Sequence, residues 1–220
     1  NIDHKKNSET LNVHFYGLKN LIKFINKSEL RLFIQIGSSL EYGNKKSPQN
    51  ESFFCKPVSY YGKAKYKASV FIRKYLKNYL ILRPYQIYGP YQKKNRLIPM
   101  VINQCLKGKK FPCTNGLQYR DFLYVDDFTN LILKILNKKK LKERVLNVGY
   151  GKPYTVKKII KNIFKLVKKG KPLFGKIKMR KDEIQKLYPS LFKLKKELNW
   201  QPKININSGL KKTISFYEKH

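Results

Sequence analysis

The chain has 220 residues, enough for one sizeable core or one domain with a satellite. Its composition is that of a folded protein, 41% hydrophobic and 14% aromatic, which excludes a disordered chain. The formal net charge of +36 points to anionic ligands or surfaces. However, the lysines run along the whole sequence, with no confined basic tail, zinc-finger spacing or RNP motif, which argues against nucleic acid as the partner.

Cys55, Cys105 and Cys113 are too few and too scattered for a disulfide framework, and neither they nor His4, His14 and His220 have metal-ligand spacing. No apolar run approaches the ~20 residues that span a bilayer, and the first residues lack a signal-peptide core, so no membrane partner is expected. The expected setting is cytoplasmic.

In chain order, residues 8–26 place Leu11, Phe15, Leu18, Leu21, Ile22 and Ile25 at helical spacing, with Ser8 as the candidate N-cap. Arg31–Ile36 is a short apolar run that predicts a buried strand ending at the small-residue turn Gly37-Ser38-Ser39. Residues 44–57 predict a loop. A helix follows over about 59–77, and Tyr79–Leu82 predicts the next strand, ahead of Arg83-Pro84. Helix, strand, helix, strand predicts a parallel sheet with crossover helices.

After Pro90 the pattern predicts a helix at 98–106, a strand at 110–113, and a strand at 122–125 leading into a helix to about Leu136. Asp126 and Asp127 stand at that helix start as capping residues. A strand at 145–148 follows, then a helix at 156–168 capped by Thr155 and a strand candidate at 176–180. The last two helices are expected near 190–198 and 207–218.

Tyr61 and Lys65 are four residues apart on the helix over 59–77, so they share one face. An ammonium near a phenol favours the phenolate and lowers a pKa that is ordinarily about 10. This makes a proton-transfer pair. A YxxxK spacing alone is weak, since any amphipathic helix can carry it. Its setting is more specific, with Ser38 ending one strand, Tyr61 and Lys65 on the next helix, and Arg83-Pro84 ending the strand after that.

The ordered segments GSSLEYG (37–43), PVSYYGKAK (57–65), LRPYQIYGP (82–90), GLQYRDFLYVDD (116–127), LNVGYGKPYTV (146–156) and LNWQP (198–202) resemble the extended short-chain dehydrogenase/reductase family, the NAD-dependent epimerases and dehydratases of nucleotide sugars. The resemblance implies an α/β fold. Its core would be a partial Rossmann-like, doubly wound parallel sheet lacking its first strands, over residues 1–90. A smaller α/β substrate-binding domain would cover residues 91–220, with some segments returning to the sheet. It implies that Tyr61 is the catalytic acid/base, that Lys65 holds the nicotinamide ribose, and that Ser38 hydrogen-bonds the reacting sugar hydroxyl. It also implies NAD or NADP as cofactor, with Tyr61, Lys65 and Tyr85 in contact with it. The nucleotide sugar is expected on Ser39, Gln86, Leu97, Arg120 and Arg180. The two arginines would meet the diphosphate, which a guanidinium fork suits. A surface ion pair of Arg120 or Arg180 with Asp121 or Asp182 is the competing reading. A homodimer through the Tyr61 helix and its neighbour is also implied.

Two departures matter. Dehydratases of the family follow the Ser/Thr with Asp-Glu, whereas this chain has Ser39 and Leu40. Leucine can neither give nor take a proton, so epimerisation or 4-keto reduction is expected rather than dehydration. The Gly-rich phosphate loop with which the family opens has no counterpart among the 12 glycines. The expectation is therefore the C-terminal portion of a longer enzyme. The alternatives are a catalytically inactive remnant that binds nucleotide sugars or a partner chain and, below that, a binder of nucleic acid through charge.

Overall fold

The computed structural model describes residues 7–180 and 183–219. His4, Asp182 and His220 lie outside these. The described chain begins with helix α1 (Asn7–Leu11), a π-helical turn (Asn12–Tyr16) and helix α2 (Gly17–Phe24). Strand β1 (Phe33–Ile36) leads into a 3₁₀ turn (Ser39–Glu41), then helix α3 (Tyr60–Tyr75) and strands β2 (Tyr79–Pro84) and β3 (Gln86–Tyr88). Next come helix α4 (Leu97–Leu106), strands β4 (Lys110–Pro112), β5 (Tyr119–Arg120) and β6 (Phe122–Tyr124), and helix α5 (Val125–Leu136). Strands β7 (Val145–Val148) and β8 (Tyr154–Thr155), helix α6 (Val156–Val167), strands β9 (Lys171–Leu173) and β10 (Lys186–Leu187), and helices α7 (Phe192–Leu198) and α8 (Ile206–Lys219) complete it.

The chain divides into two compact units. The first is Asn1–Tyr85 with Lys138–Val148 and Pro189–Asn199. The second is Gln86–Asn137 with Gly149–Tyr188 and Trp200–His220.

The first unit is built on a parallel sheet of order β1-β2-β7. Its middle strand is buried from Leu80 to Arg83, as expected of a parallel strand covered on both faces. Helix α3 presents Ala64, Ala68 and Ile72, at i, i+4 and i+8, as a fully buried stripe. The two alanines allow close approach, and Ile72 joins Ile22 and Leu76 in a small core. Full burial of such a side chain is worth roughly 1.5–3 kcal/mol. Ser59 starts α3 by accepting a hydrogen bond from Gly62 N at 3.1 Å. The loop before it is pinned to β7 by Asn147, which accepts from Tyr42 Oη at 2.8 Å and donates through Nδ2 to the Gln49 carbonyl at 2.9 Å.

In the second unit β3 pairs with β6, β4 with β9, and β5 lies between β10 and β8. Ile98, Ile102, Ile159, Ile163 and Leu210, from α4, α6 and α8, form its core with Tyr88 and Phe122. Thr155 caps α6 as expected, its Oγ1 accepting from Lys158 N at 3.2 Å.

Three expectations are corrected. The N-terminal helix has a π-helical turn in its middle, and Ser8 lies inside α1 rather than capping it. Residues 176–180 form no strand, because Lys171–Leu173 already occupies the edge of β4 and the chain turns at Gly175. Asp127 is no helix cap. Its carboxylate is buried and accepts from Lys203 N at 3.0 Å and Ile204 N at 2.9 Å, tying the chain before α8 to the start of α5.

That difference predicts unequal costs. Asp127→Ala leaves two backbone donors without their acceptor and lowers stability by about 1–3 kcal/mol. Asp126→Ala, which loses a 3.9 Å exposed ion pair with Lys212, costs at most about 1 kcal/mol. Urea midpoints of the two variants measure the difference.

Candidate functional site

In the first unit, β1 ends at Ile36 and the chain turns tightly after Gly37. Ser38 is extended, and its Oγ accepts from Leu40 N at 3.1 Å, capping the 3₁₀ turn. A serine hydroxyl that accepts this bond still carries its own O–H donor. Ser39 is buried at the start of the turn.

Helix α3 meets this turn at Gly62. A Cβ there would stand 2.6 Å from the Leu40 carbonyl oxygen and 3.1 Å from Ser59 Oγ. Only glycine lets the residue after Tyr61 come so near.

Lys65 lies one helical turn beyond Tyr61, nine-tenths buried. Its Nζ sits 5.7 Å from the Tyr61 ring centroid and donates to the Ile36 carbonyl at 2.9 Å. An ammonium has three donors, so two remain for a ligand. Burial holds Lys65 below its ordinary pKa, while the nearby Glu41 carboxylate pulls the other way. His14, on the π-helical turn, packs its ring edgewise on Tyr61, with centroids 5.1 Å apart. Burial, and then the Lys65 charge, lower its pKa, which favours the neutral imidazole. Short π-helical turns occur often at functional sites.

A cavity of about 340 Å³ opens beside Lys65, with His14, Gly17, Leu18 and Ile34–Ile36 in its walls. Lys65 lines this cavity, and half-buried Tyr61 stands beside Lys65. Tyr85, expected in the same group, is buried, and its hydroxyl donates to Gln49 Oε1 at 2.8 Å. That phenol therefore serves the 44–57 loop.

Glu41 is a residue that motif reading missed. It is fully buried, and its carboxylate accepts from Ser38 N, Ser69 Oγ and Arg83 Nε. The Ser-x-x-Glu spacing of a capping box was its visible signal.

In the second unit, Arg120 and Arg180 converge on one carboxylate, that of Glu183. Arg120 pairs with Glu183 Oε1 through Nη2 and donates through Nη1 to the Tyr119 carbonyl at 2.7 Å. Arg180 reaches Glu183 Oε2 through Nη2 at 2.8 Å. Both guanidiniums thus share an anionic partner in Glu183 rather than Asp121; Asp182 lies outside the described residues. Asp121 instead accepts from Tyr150 N at 2.5 Å and Gly151 N at 2.7 Å. Burial outweighs those two donors and pushes its pKa up to about 6. Gln86 stands in β3, where its backbone N–H donates to the Asp121 carbonyl at 3.0 Å. Leu97 opens α4, half-buried against the unit's core.

A parallel sheet with a Ser at one strand end and a Tyr-Lys pair on the next helix defines a short-chain-dehydrogenase type of fold. The family model for the NAD dependent epimerase/dehydratase family matches residues 2–149, and the chain belongs to that family. It is 27% identical to human dTDP-D-glucose 4,6-dehydratase over 94% of this chain and 62% of that protein. It is also 27% identical to a UDP-glucuronate 4-epimerase of Thermodesulfobacterium geofontis, over 93% of this chain and 64% of that protein. The chain thus spans about three-fifths of the length of these curated relatives.

Among solved structures it resembles the Thermotoga maritima UDP-glucose 4-epimerase with UDP-glucose, with a TM-score of 0.88 and 27% identity over 99% of this chain and 73% of that one. It also resembles a Bacillus cereus UDP-glucuronic acid 4-epimerase in complex with UDP-glucuronic acid and NAD, with a TM-score of 0.83 and 25% identity over 94% of this chain and 67% of that one. Among the described residues, no helix is long and apolar enough to cross a membrane, and no group of His, Cys, Asp and Glu could hold a metal ion.

Gly62→Ala tests the close approach of helix and turn. The added methyl must push α3 away from the Leu40 carbonyl, at a cost of about 1–3 kcal/mol. The thermal midpoint of this variant is expected well below that of Gly17→Ala, a glycine of helical conformation whose new Cβ would meet only the Asn12 carbonyl oxygen at 3.4 Å, an ordinary contact.

Proposed function

We propose that this chain carries the catalytic residues of a nucleotide-sugar epimerase or 4-keto reductase. The observation that carries the reading is the grouping of Ser38, Tyr61 and Lys65 within one unit of a chain that belongs to this family. Tyr61 takes the proton of the reacting sugar hydroxyl at its Oη and returns it in the reverse direction. Lys65, with two N–H donors beyond its bond to Ile36, holds ribose hydroxyls and favours the phenolate by its charge. The Ser38 hydroxyl hydrogen-bonds the same sugar oxygen and fixes its direction. A nicotinamide dinucleotide, NAD or NADP, supplies the hydride acceptor and donor when bound.

In the second unit, Arg120 and Arg180 serve as the diphosphate clamp. Both are already directed at an anion, Glu183, and a diphosphate offers them more acceptor oxygens. Ser39, Gln86 and Leu97 complete the substrate contacts by backbone or side chain. Leu40 at the position of a dehydratase acid supports epimerisation or reduction over elimination of water. Exposed Val13, Tyr16, Leu21 and Val70, on the N-terminal helical segment and α3, support a homodimer through these helices.

Tyr61→Phe tests the assignment. Loss of one acid/base group is expected to lower turnover of a nucleotide sugar roughly 10²–10⁴-fold. Calorimetry with the nucleoside diphosphate is expected to give an unchanged affinity. Turnover equal to that of the wild type contradicts the role given to Tyr61.

A further inference from the structure

The mechanism above makes no use of the most completely buried charged pair in the first unit. Glu41 and Arg83 are both 0% exposed, and Arg83 Nη2 lies 3.1 Å from Glu41 Oε2. Burying two charges is costly and adds little net stability against an apolar pair of the same size. A pair kept in such a place calls for another reason.

The hydrogen bonds supply one. Glu41 Oε1 accepts from Ser38 N at 2.9 Å. Glu41 Oε2 accepts from Ser69 Oγ at 2.9 Å and from Arg83 Nε at 3.1 Å. Ser69 is on α3, one turn beyond Lys65, and Arg83 is in β2. One carboxylate therefore joins the strand-end turn that carries Ser38, the helix that carries Tyr61 and Lys65, and the middle strand of the sheet. The packing around it is tight. A Cβ on Gly37 would stand 2.4 Å from Glu41 Oε1. The Arg83 guanidinium is held from the other side by the Tyr42 ring, 4.5 Å from its centroid. Burial works against the Arg83 charge, but the Glu41 carboxylate and Tyr42 outweigh it and keep the guanidinium above its usual range.

We propose that Glu41 is a positioning residue, whose buried carboxylate sets the Ser38 turn against the Tyr61-Lys65 helix. It does not meet the sugar. Its own bonds hold it inside the unit, facing the backbone of Ser38 rather than any ligand. Its effect on catalysis rests on the roles given above to Ser38, Tyr61 and Lys65. Its effect on the geometry of the turn does not.

The identity of the residue follows from its partners. Both carboxylate oxygens accept, Oε1 from Ser38 and Oε2 from Ser69 and Arg83. A glutamine has one acceptor oxygen and one NH₂ group, so it can serve only one side. The arginine is the stronger claimant, and the NH₂ group then opposes the Ser38 N–H.

Amide hydrogen exchange tests this without requiring turnover. In the wild type the Ser38 amide is expected to be protected alongside the Gly37 amide, which donates to the Leu82 carbonyl at 2.7 Å. In Glu41→Gln, Ser38 exchange is expected to quicken roughly tenfold or more, the loss of one charge-assisted bond, with Gly37 unchanged. The double variant Glu41→Leu with Arg83→Met replaces the pair by apolar groups. It keeps the fold if the pair's only task is to fill the core. It is expected to show the same release of Ser38. Rapid Ser38 exchange in the wild type overturns the proposal, as does wild-type protection of Ser38 in either variant. If turnover is followed, Glu41→Gln lowers kcat and leaves KM for the nucleotide sugar unchanged. A Tyr61→Phe protein that retains turnover defeats the catalytic reading and leaves the exchange result standing.

Discussion

A single buried carboxylate ties together three segments of the first unit. Glu41 accepts bonds from the turn after β1, from the middle of α3 and from the end of β2. These three segments are far apart in sequence and carry Ser38, the Tyr61-Lys65 pair and Arg83. Close-packed backbone supports the same arrangement where Gly62 lies against the Leu40 carbonyl. Ionic and steric constraints act here on one turn of only a few residues. A proton-transfer pair needs its partner hydroxyl within hydrogen-bond reach, so small displacements of that turn bear directly on rate.

The elements that motif reading could find were those whose chemistry is local. Tyr61 and Lys65 were legible because helical spacing puts i and i+4 on one face, and Thr155 because its side chain caps its own helix. The apolar run at 31–36 and the run at 79–82 were legible as the strands that pair in parallel as β1 and β2, the first of them beginning at Phe33. What could not be read depends on contacts distant in sequence. Asp127 looks like a cap, standing in the first turn of α5, yet its acceptors serve Lys203 and Ile204. Residues 176–180 alternate well enough for a strand, but a strand needs a free edge, and Lys171–Leu173 has taken that of β4. Glu41 is hydrophilic in sequence and lies wholly inside the fold, because its partners pay its desolvation.

The second unit shows how an acidic residue gains weight in a lysine-rich chain. Glu183 is one of only 13 acidic residues against 49 basic ones, yet two arginines converge on it. Lysines elsewhere are largely solvated and contribute a diffuse field. Arginine, with a planar fork and a charge it does not lose, is the group that organises an oxyanion. Scattered lysine thus contributes general basicity, whereas the two arginines are directed at one carboxylate.

The most direct test of the central claim follows the hydride itself. A nucleotide sugar deuterated at its reacting carbon is mixed with the protein and nicotinamide dinucleotide, and the mixture is quenched within the first turnover, before the hydride can return, and examined by mass spectrometry. Proton transfer by Tyr61 coupled to hydride transfer predicts transient deuterium on the nicotinamide ring, its return to the sugar when an epimerised product forms, and suppression of the transfer in Tyr61→Phe. Deuterium released to water while the sugar reacts would contradict the account.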